Sequence, residues 1–163
     1  MSQIPYRKPL TRAGYQRLAE EHRQLLEEER PKVVDGVATA AAEGDRSENA
    51  EYIYGKKRLR EIDKRLRYLT SLIDEAQVVD PENIRSDRIE FGATVTIVDE
   101  EGLEKTWSIV GMGEADASRG TISWQSPLAK ALHQKKVGDF IILKRPAGEM
   151  EYEVLAIEYR RIT

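Results

Sequence analysis

From Tyr52 onward an apolar or small residue recurs every seven positions: Tyr52, Leu59, Leu66 and Ile73 form one row, and Gly55, Ile62, Leu69 and Ala76 form a second. Rows at that spacing are the a and d positions of a heptad, and a strict seven-residue seam demands one narrow partner stripe rather than a broad core. The partner lies upstream. Tyr15, Leu18, Leu25, Val33, Val37 and Ala40 recur at roughly helical spacing, Thr11 is placed to cap their helix, and the connection at Gly44 is short. Two helices joined by a short turn pack antiparallel, so residues 1–80 are expected to form a coiled-coil hairpin with its tip at residues 44–48. Helices of about thirty residues at 1.5 Å each reach on the order of 45 Å. Pro31 removes a backbone donor, at a cost of about 3 kcal/mol in an ideal interior, and is expected to kink the first helix, while Gly36 weakens the turns after it.

The period changes after "VVDPENIRSDRIEFG", a stretch rich in turn-prone residues around Pro81 and Gly92. Beyond it "ATVTIV", "EKTWSIVG", "TISW", "DFIILK" and "EYEVLAIEY" alternate as strands do, with turn signals at Glu101-Gly102, Gly120, Gly138-Asp139 and Ala147-Gly148. One short helix interrupts them, with Ser126 as N-cap and Pro127 in its first turn. The fold class expected is α+β, with residues 81–163 forming a small antiparallel β domain that carries one short helix. The 163 residues have a net charge of −3, which argues against a general nucleic-acid binder, since that role needs a strong basic excess. Any contact with nucleic acid is then local. The absence of cysteine excludes disulfides and thiolate zinc sites, and no run is apolar enough to span a bilayer, so the reading is a soluble intracellular protein.

Asp45 and Glu48 sit just past the Gly44 turn. Asp45-Arg46-Ser47-Glu48 fits a capping box, in which Asp45 caps the second helix and Glu48 reaches back to the cap amide. The same carboxylates, three apart on a first helical turn, would share a face and could bind a hard cation such as Mg²⁺ through oxygen. Two carboxylates are half of such a site, because Mg²⁺ takes six oxygens. A half-site on the end of a rod makes sense if another molecule supplies the remaining ligands. In "KKRLREIDKRLR" the charges fall mostly off the seam, with Lys57 and Lys64 at f, Arg60 and Arg67 at b, and Arg58 and Arg65 at g. That flank is either a solvated helix face or a place to hold a phosphate backbone. "GMGEAD" reads as a hairpin loop rather than a phosphate loop, for it lacks a third glycine in register. His22 and His133 read as structural or surface residues, Trp107 and Trp124 as sheet core. No nucleophile has a histidine near it in sequence, so a self-contained hydrolase is not expected.

Taken together, "GDRSENAEY", "KKRLREIDKRLRYL", "RPKVVDGVATAAAEGD" and "SPLAKALHQKKVGD" resemble the Gre family of bacterial transcript cleavage factors, over nearly the whole chain. The tip and the basic helix after it are more similar to the GreB branch than to GreA. Arg46 replaces a leucine common in the family and is compatible with the GreB pattern. The resemblance implies a coiled-coil hairpin that enters the secondary channel of RNA polymerase and an FKBP-like second domain that docks at the channel mouth. It further implies that Asp45 and Glu48 help hold an Mg²⁺ ion shared with the polymerase, none being held stably by the free protein. The polymerase's own cleavage of the backtracked RNA 3′ end would thereby be stimulated, with no enzyme activity in the factor itself. By the same resemblance Lys56, Lys57, Arg58 and Arg60 would touch the extruded RNA, and Ser126 and Pro127 would help dock on the polymerase. A cytoplasmic monomer with no membrane partner is implied. Two other classes compete. A Gre-like rod that occludes the channel without cleavage is disfavoured by intact tip acids, and a coiled-coil RNA binder is disfavoured by the acidic overall charge.

Overall fold

The computed structural model describes residues 7–44 and 49–163. They divide into two compact units, one made of Gln16–Glu75, the other of Ala76–Thr163 together with the described residues up to Tyr15.

The first unit is the hairpin. Thr11 caps its first helix, Arg12–Gln24 (α1), by accepting from the Gly14 amide at 3.1 Å. The single helix expected up to the turn is instead three pieces: α1, a π-helical turn over Leu25–Glu29, and Arg30–Ala42 (α2). Within the π turn the Arg30 amide donates to the Leu25 carbonyl, five residues back. Pro31 follows immediately, and having no N–H it could not have continued an unbroken α ladder. The π turn inserts one residue, which restores the seam: Leu18 to Leu25 is a step of seven, Leu25 to Val33 a step of eight, Val33 to Ala40 again seven. Leu18, Leu25 and Ala40 are accordingly buried.

The return helix is Ala50–Asp74 (α3), whose 25 residues span about 37 Å. Its d row, Gly55, Ile62 and Leu69, is buried, while the a row is half-buried, so the seam is centred on d. A Cβ on Gly55 would lie 2.6 Å from Val37 Cγ2, so only glycine lets the two helices approach this closely. Ion pairs flank the seam: Arg65 to Glu21 at 2.6 Å, Arg30 to Asp63 at 2.8 Å, and Arg58 to Glu29.

The second unit holds two sheets. Pro9–Thr11 (β1) and Gln77–Val79 (β2) pair in parallel, a contact that three-residue strands give no periodicity to announce. The larger sheet contains Thr94–Asp99 (β3), Glu104–Val110 (β4), Thr121–Ser123 (β5), Phe140–Arg145 (β6) and Gly148–Glu158 (β7), in the order β5-β4-β3-β7-β6. Every strand read from the sequence is present and the fold is α+β, as expected. The sheet, however, is mixed rather than wholly antiparallel, because β4 and β5 run parallel, with Ser108 opposite Thr121. "GMGEAD" is therefore part of a crossover and not the hairpin loop expected of it; a 3₁₀ turn at Ala117–Arg119 completes the return. Ile89, Val95, Ile97, Ile109, Ile141 and Val154 form the core, covered by Ala129 and Leu132 of Pro127–Leu132 (α4), with Trp107 and Trp124 packed against it.

Candidate functional site

The turn of the hairpin is organised by Asn49. Its side-chain oxygen accepts from the Tyr52 amide at 3.1 Å, which caps α3, and its amide nitrogen donates to the Ala40 carbonyl at 2.8 Å, one of the orphan acceptors at the end of α2. One side chain thus ties both helix ends. Glu43 also closes on Ala40 through its amide, at 3.2 Å, and Gly44 follows at φ +132°. The capping box starting at Asp45 is overturned: α3 starts at Ala50 and its cap is Asn49. Asp45, Arg46, Ser47 and Glu48 lie outside the described residues, and so does the reading of Asp45 and Glu48 as metal ligands. Among the described residues no cluster of three or more His, Asp or Glu side chains is arranged to hold a metal.

Past the cap, the four cations singled out in the sequence divide into two sets. Arg58 is committed to the hairpin, donating to Glu29 on the facing segment and to Glu61 one turn on, and those carboxylates hold its guanidinium above its ordinary pKa. Lys56, Lys57 and Arg60 are exposed and make no ion pair with the described residues. Farther along, hydrogen bonds from Arg65 and Arg30 hold Glu21 and Asp63 below the usual carboxylate range. Beside the cations α2 and α3 leave an open groove lined by Val33, Gly36, Val37, Ala50, Tyr54 and Gly55, with Tyr54 itself 70% exposed.

In the other unit Ser126 caps α4, its Oγ accepting from the Ala129 amide at 3.2 Å, with Pro127 exposed in the first turn. His22 contacts Thr70 Oγ1 at 3.1 Å, and His133 ends α4 with its Nε2 buried. The sequence reading passed over Glu114, inside "GMGEAD". It is buried, and its carboxylate accepts from the Gly111 amide at 2.8 Å, the Thr11 amide at 2.8 Å and the Thr11 hydroxyl. Asn49 had a signal, a capping-type residue just before an acidic first turn; Glu114 had none, for its partner is 103 residues away.

Residues 8–78 match the family model described as "Transcription elongation factor, N-terminal", and residues 84–159 match "Transcription elongation factor, GreA/GreB, C-term". Transcription elongation factor GreB of Neisseria meningitidis serogroup B is 47% identical over 154 residues, 94% of either chain. GreB of Yersinia pestis is 46% identical over 93% of this chain and 88% of its own. GreA of Chelativorans sp. is 46% identical over 93% of this chain and 97% of its own. A solved structure of the GreA factor homolog 1 (Gfh1) protein of Thermus thermophilus aligns with a TM-score of 0.43 at 24% identity, covering 96% of this chain and 99% of that one.

Proposed function

The chain belongs to the GreA/GreB family of transcription elongation factors, and from that premise we propose that it enters the secondary channel of bacterial RNA polymerase and stimulates cleavage of the 3′ end of backtracked RNA. The observation that carries this reading is the cap at Asn49. Two carboxylates beside a helix start are ordinarily explained as its cap and dipole partners. Here the cap of α3 is Asn49, whose side chain also serves the end of α2, which supports a role other than the N-cap for Asp45 and Glu48.

Two carboxylates are hard oxygen donors of the kind Mg²⁺ prefers, and being too few to complete its shell, Asp45 and Glu48 would hold the ion only together with oxygens supplied by the polymerase and the RNA. An ion held in this way would supply charge stabilisation at the scissile phosphate and help activate the attacking water. The chain's own residues do the rest. Asp45 and Glu48 orient and retain the cation, Lys56, Lys57 and Arg60 hold the extruded RNA by its phosphates, and Arg58 keeps α3 against the segment facing it. Ser126 and Pro127, at the start of α4, contribute to docking on the polymerase. The nuclease is the polymerase, and the factor acts as a cytoplasmic monomer.

A purified backtracked elongation complex with Mg²⁺ tests this. The intact protein should accelerate cleavage, and Asp45→Ala/Glu48→Ala should lower the stimulated rate by roughly 100-fold, the scale of losing a group that acts at the transition state, while polymerase binding persists. Binding by the intact protein without stimulation would instead make the hairpin a channel blocker.

A further inference from the structure

The buried Glu114 carboxylate accepts from the Thr11 amide at 2.8 Å, the Gly111 amide at 2.8 Å and the Thr11 hydroxyl. Thr11 is the cap of α1, its Oγ1 accepting in turn from the Gly14 amide at 3.1 Å. One carboxylate therefore holds the residue that starts the helix. Thr11, Gly14, Gly111 and Glu114 all lie in the unit that carries the sheets, whereas α1 continues without a break to Gln24, in the hairpin. A hold on its first turn is a hold on the first arm.

Two glycines keep the space for that carboxylate. A Cβ on Gly14 would lie 2.5 Å from Glu114 Cδ and closer still to Oε1, and a Cβ on Gly111 would lie 2.8 Å from Oε2. Gly14 stands inside a helix, where glycine is a poor choice for stability, so its place is set by the side chain beside it. The returning chain is tied to the same point. Val79 of β2 lies opposite Thr11, and Arg12 donates to Asp80 through Nε at 2.8 Å and Nη2 at 3.0 Å. Stability alone is a weak reason for this arrangement, because burying a carboxylate costs its hydration and apolar replacements of buried charged groups often match them. What a carboxylate adds is direction, for each bond it accepts holds only at short range and restricted angles.

We propose that Glu114 is a positioning residue for the cleavage reaction: by clamping Thr11 and the first turn of α1 it fixes the base of the hairpin, so that the tip carboxylates arrive in one place. The inference rests on the proposed function for the reaction concerned. Glu114 acts through Thr11, not on metal or RNA. Over an arm of about 37 Å, the length of α3, a tilt of about 3° at the base moves the far end by about 2 Å. Misplacing reacting groups by about 1 Å costs up to roughly 100-fold in rate.

The test titrates the full chain into a backtracked polymerase complex and separates the saturating cleavage rate from the concentration for half-maximal cleavage. Glu114→Gln keeps the side chain's shape but turns a donor toward donors. It should lower the saturating rate roughly tenfold or more, while the half-maximal concentration stays within about twofold because the tip and Ser126-Pro127 are untouched. Gly14→Ala should do the same by displacing Glu114, although alanine is the better helix former. Gly14→Ala/Glu114→Ala removes the collision together with the clamp. It should melt above Gly14→Ala and still cleave as slowly, which separates position from stability. An arm without polymerase uses the lack of cysteine in the chain: Lys64→Cys in α3 and Lys144→Cys in β6, both at exposed positions, take one spin label each. The distribution of distances between the labels should broaden when Glu114→Gln or Gly14→Ala is added. Broadening upholds the clamp even if the intact protein fails to stimulate cleavage, which would sink only the proposed function. An unchanged distribution overturns the inference. So does recovery of the saturating rate in Gly14→Ala/Glu114→Ala in step with its melting temperature, which leaves Glu114 as a stabilising contact alone.

Discussion

Asn49 satisfies an orphan amide at the start of α3 and an orphan carbonyl at the end of α2, so the cost of losing a cap belongs to it. Asn49→Ala should destabilise the first turn of α3 by about 1 kcal/mol, read as faster hydrogen exchange at the amides of Tyr52 and Ile53. Asp45→Ala, with Asn49 intact, should leave those amides unchanged while removing cleavage stimulation, separating fold from chemistry at neighbouring residues. The ion pairs along the hairpin make a second residue-level prediction. Arginine hydrogen bonds hold Glu21 and Asp63 below their ordinary values of 4.5 and 3.8. A carboxylate whose pKa falls on folding stabilises the folded state above its ordinary value, and that contribution is lost as pH falls through the lowered one. Acidification from about pH 4.5 downward should therefore increase exchange along α3. Glu21→Gln should remove its share of the pH dependence without altering the value at neutral pH by more than the modest worth of an exposed pair.

The two arms of the hairpin tolerate a change of length differently. The π turn absorbs one residue between Leu25 and Val33, so deleting Glu27, which is exposed, converts the step of eight to the regular seven. The arm should then run as continuous α-helix up to Pro31 with its buried row unbroken. Deleting Glu61 from α3 has no such outlet. It rotates Ile62 and Leu69, both essentially fully buried, about 100° out of the seam relative to the residues before them. Each displaced side chain is worth about 2–5 kcal/mol. Thermal melts followed by circular dichroism should show the Glu27 deletion close to the parent protein and the Glu61 deletion with the hairpin transition lost. The eight-residue step is visible in the sequence, but its meaning depends on knowing that the residues on either side face the same partner.

For the molecule as a whole, the hairpin is inserted into the other unit rather than placed ahead of it. The chain enters the hairpin after Tyr15 and returns at Ala76, and β1 from before the hairpin pairs with β2 from after it. Leu10 is only 2% exposed, and Thr11 gives its amide and hydroxyl to Glu114. A fragment starting at Ala76 loses these contacts and should melt roughly 10 °C below the same unit in the full chain, as followed by near-ultraviolet circular dichroism of Trp107 and Trp124. Glu114→Ala in the full chain should reproduce part of that loss. The sequence by itself determined the elements whose signal is local: the heptad rows of α3, the alternating strands, the glycine turns and the Ser126 cap, each set by the period of a helix, the pleat of a strand or the dihedral freedom of one residue. It also supplied the tip carboxylates and the cations after them as candidates, because a motif is a local pattern too. Only the tertiary structure decided that Asn49 closes the turn, that Arg58 serves the hairpin while Lys56, Lys57 and Arg60 do not, that β5 runs parallel to β4, and that Glu114 grips Thr11. These are choices of partner. They depend on which groups meet across tens of residues, where backbone satisfaction and burial act on the folded chain and leave no period in the sequence to read.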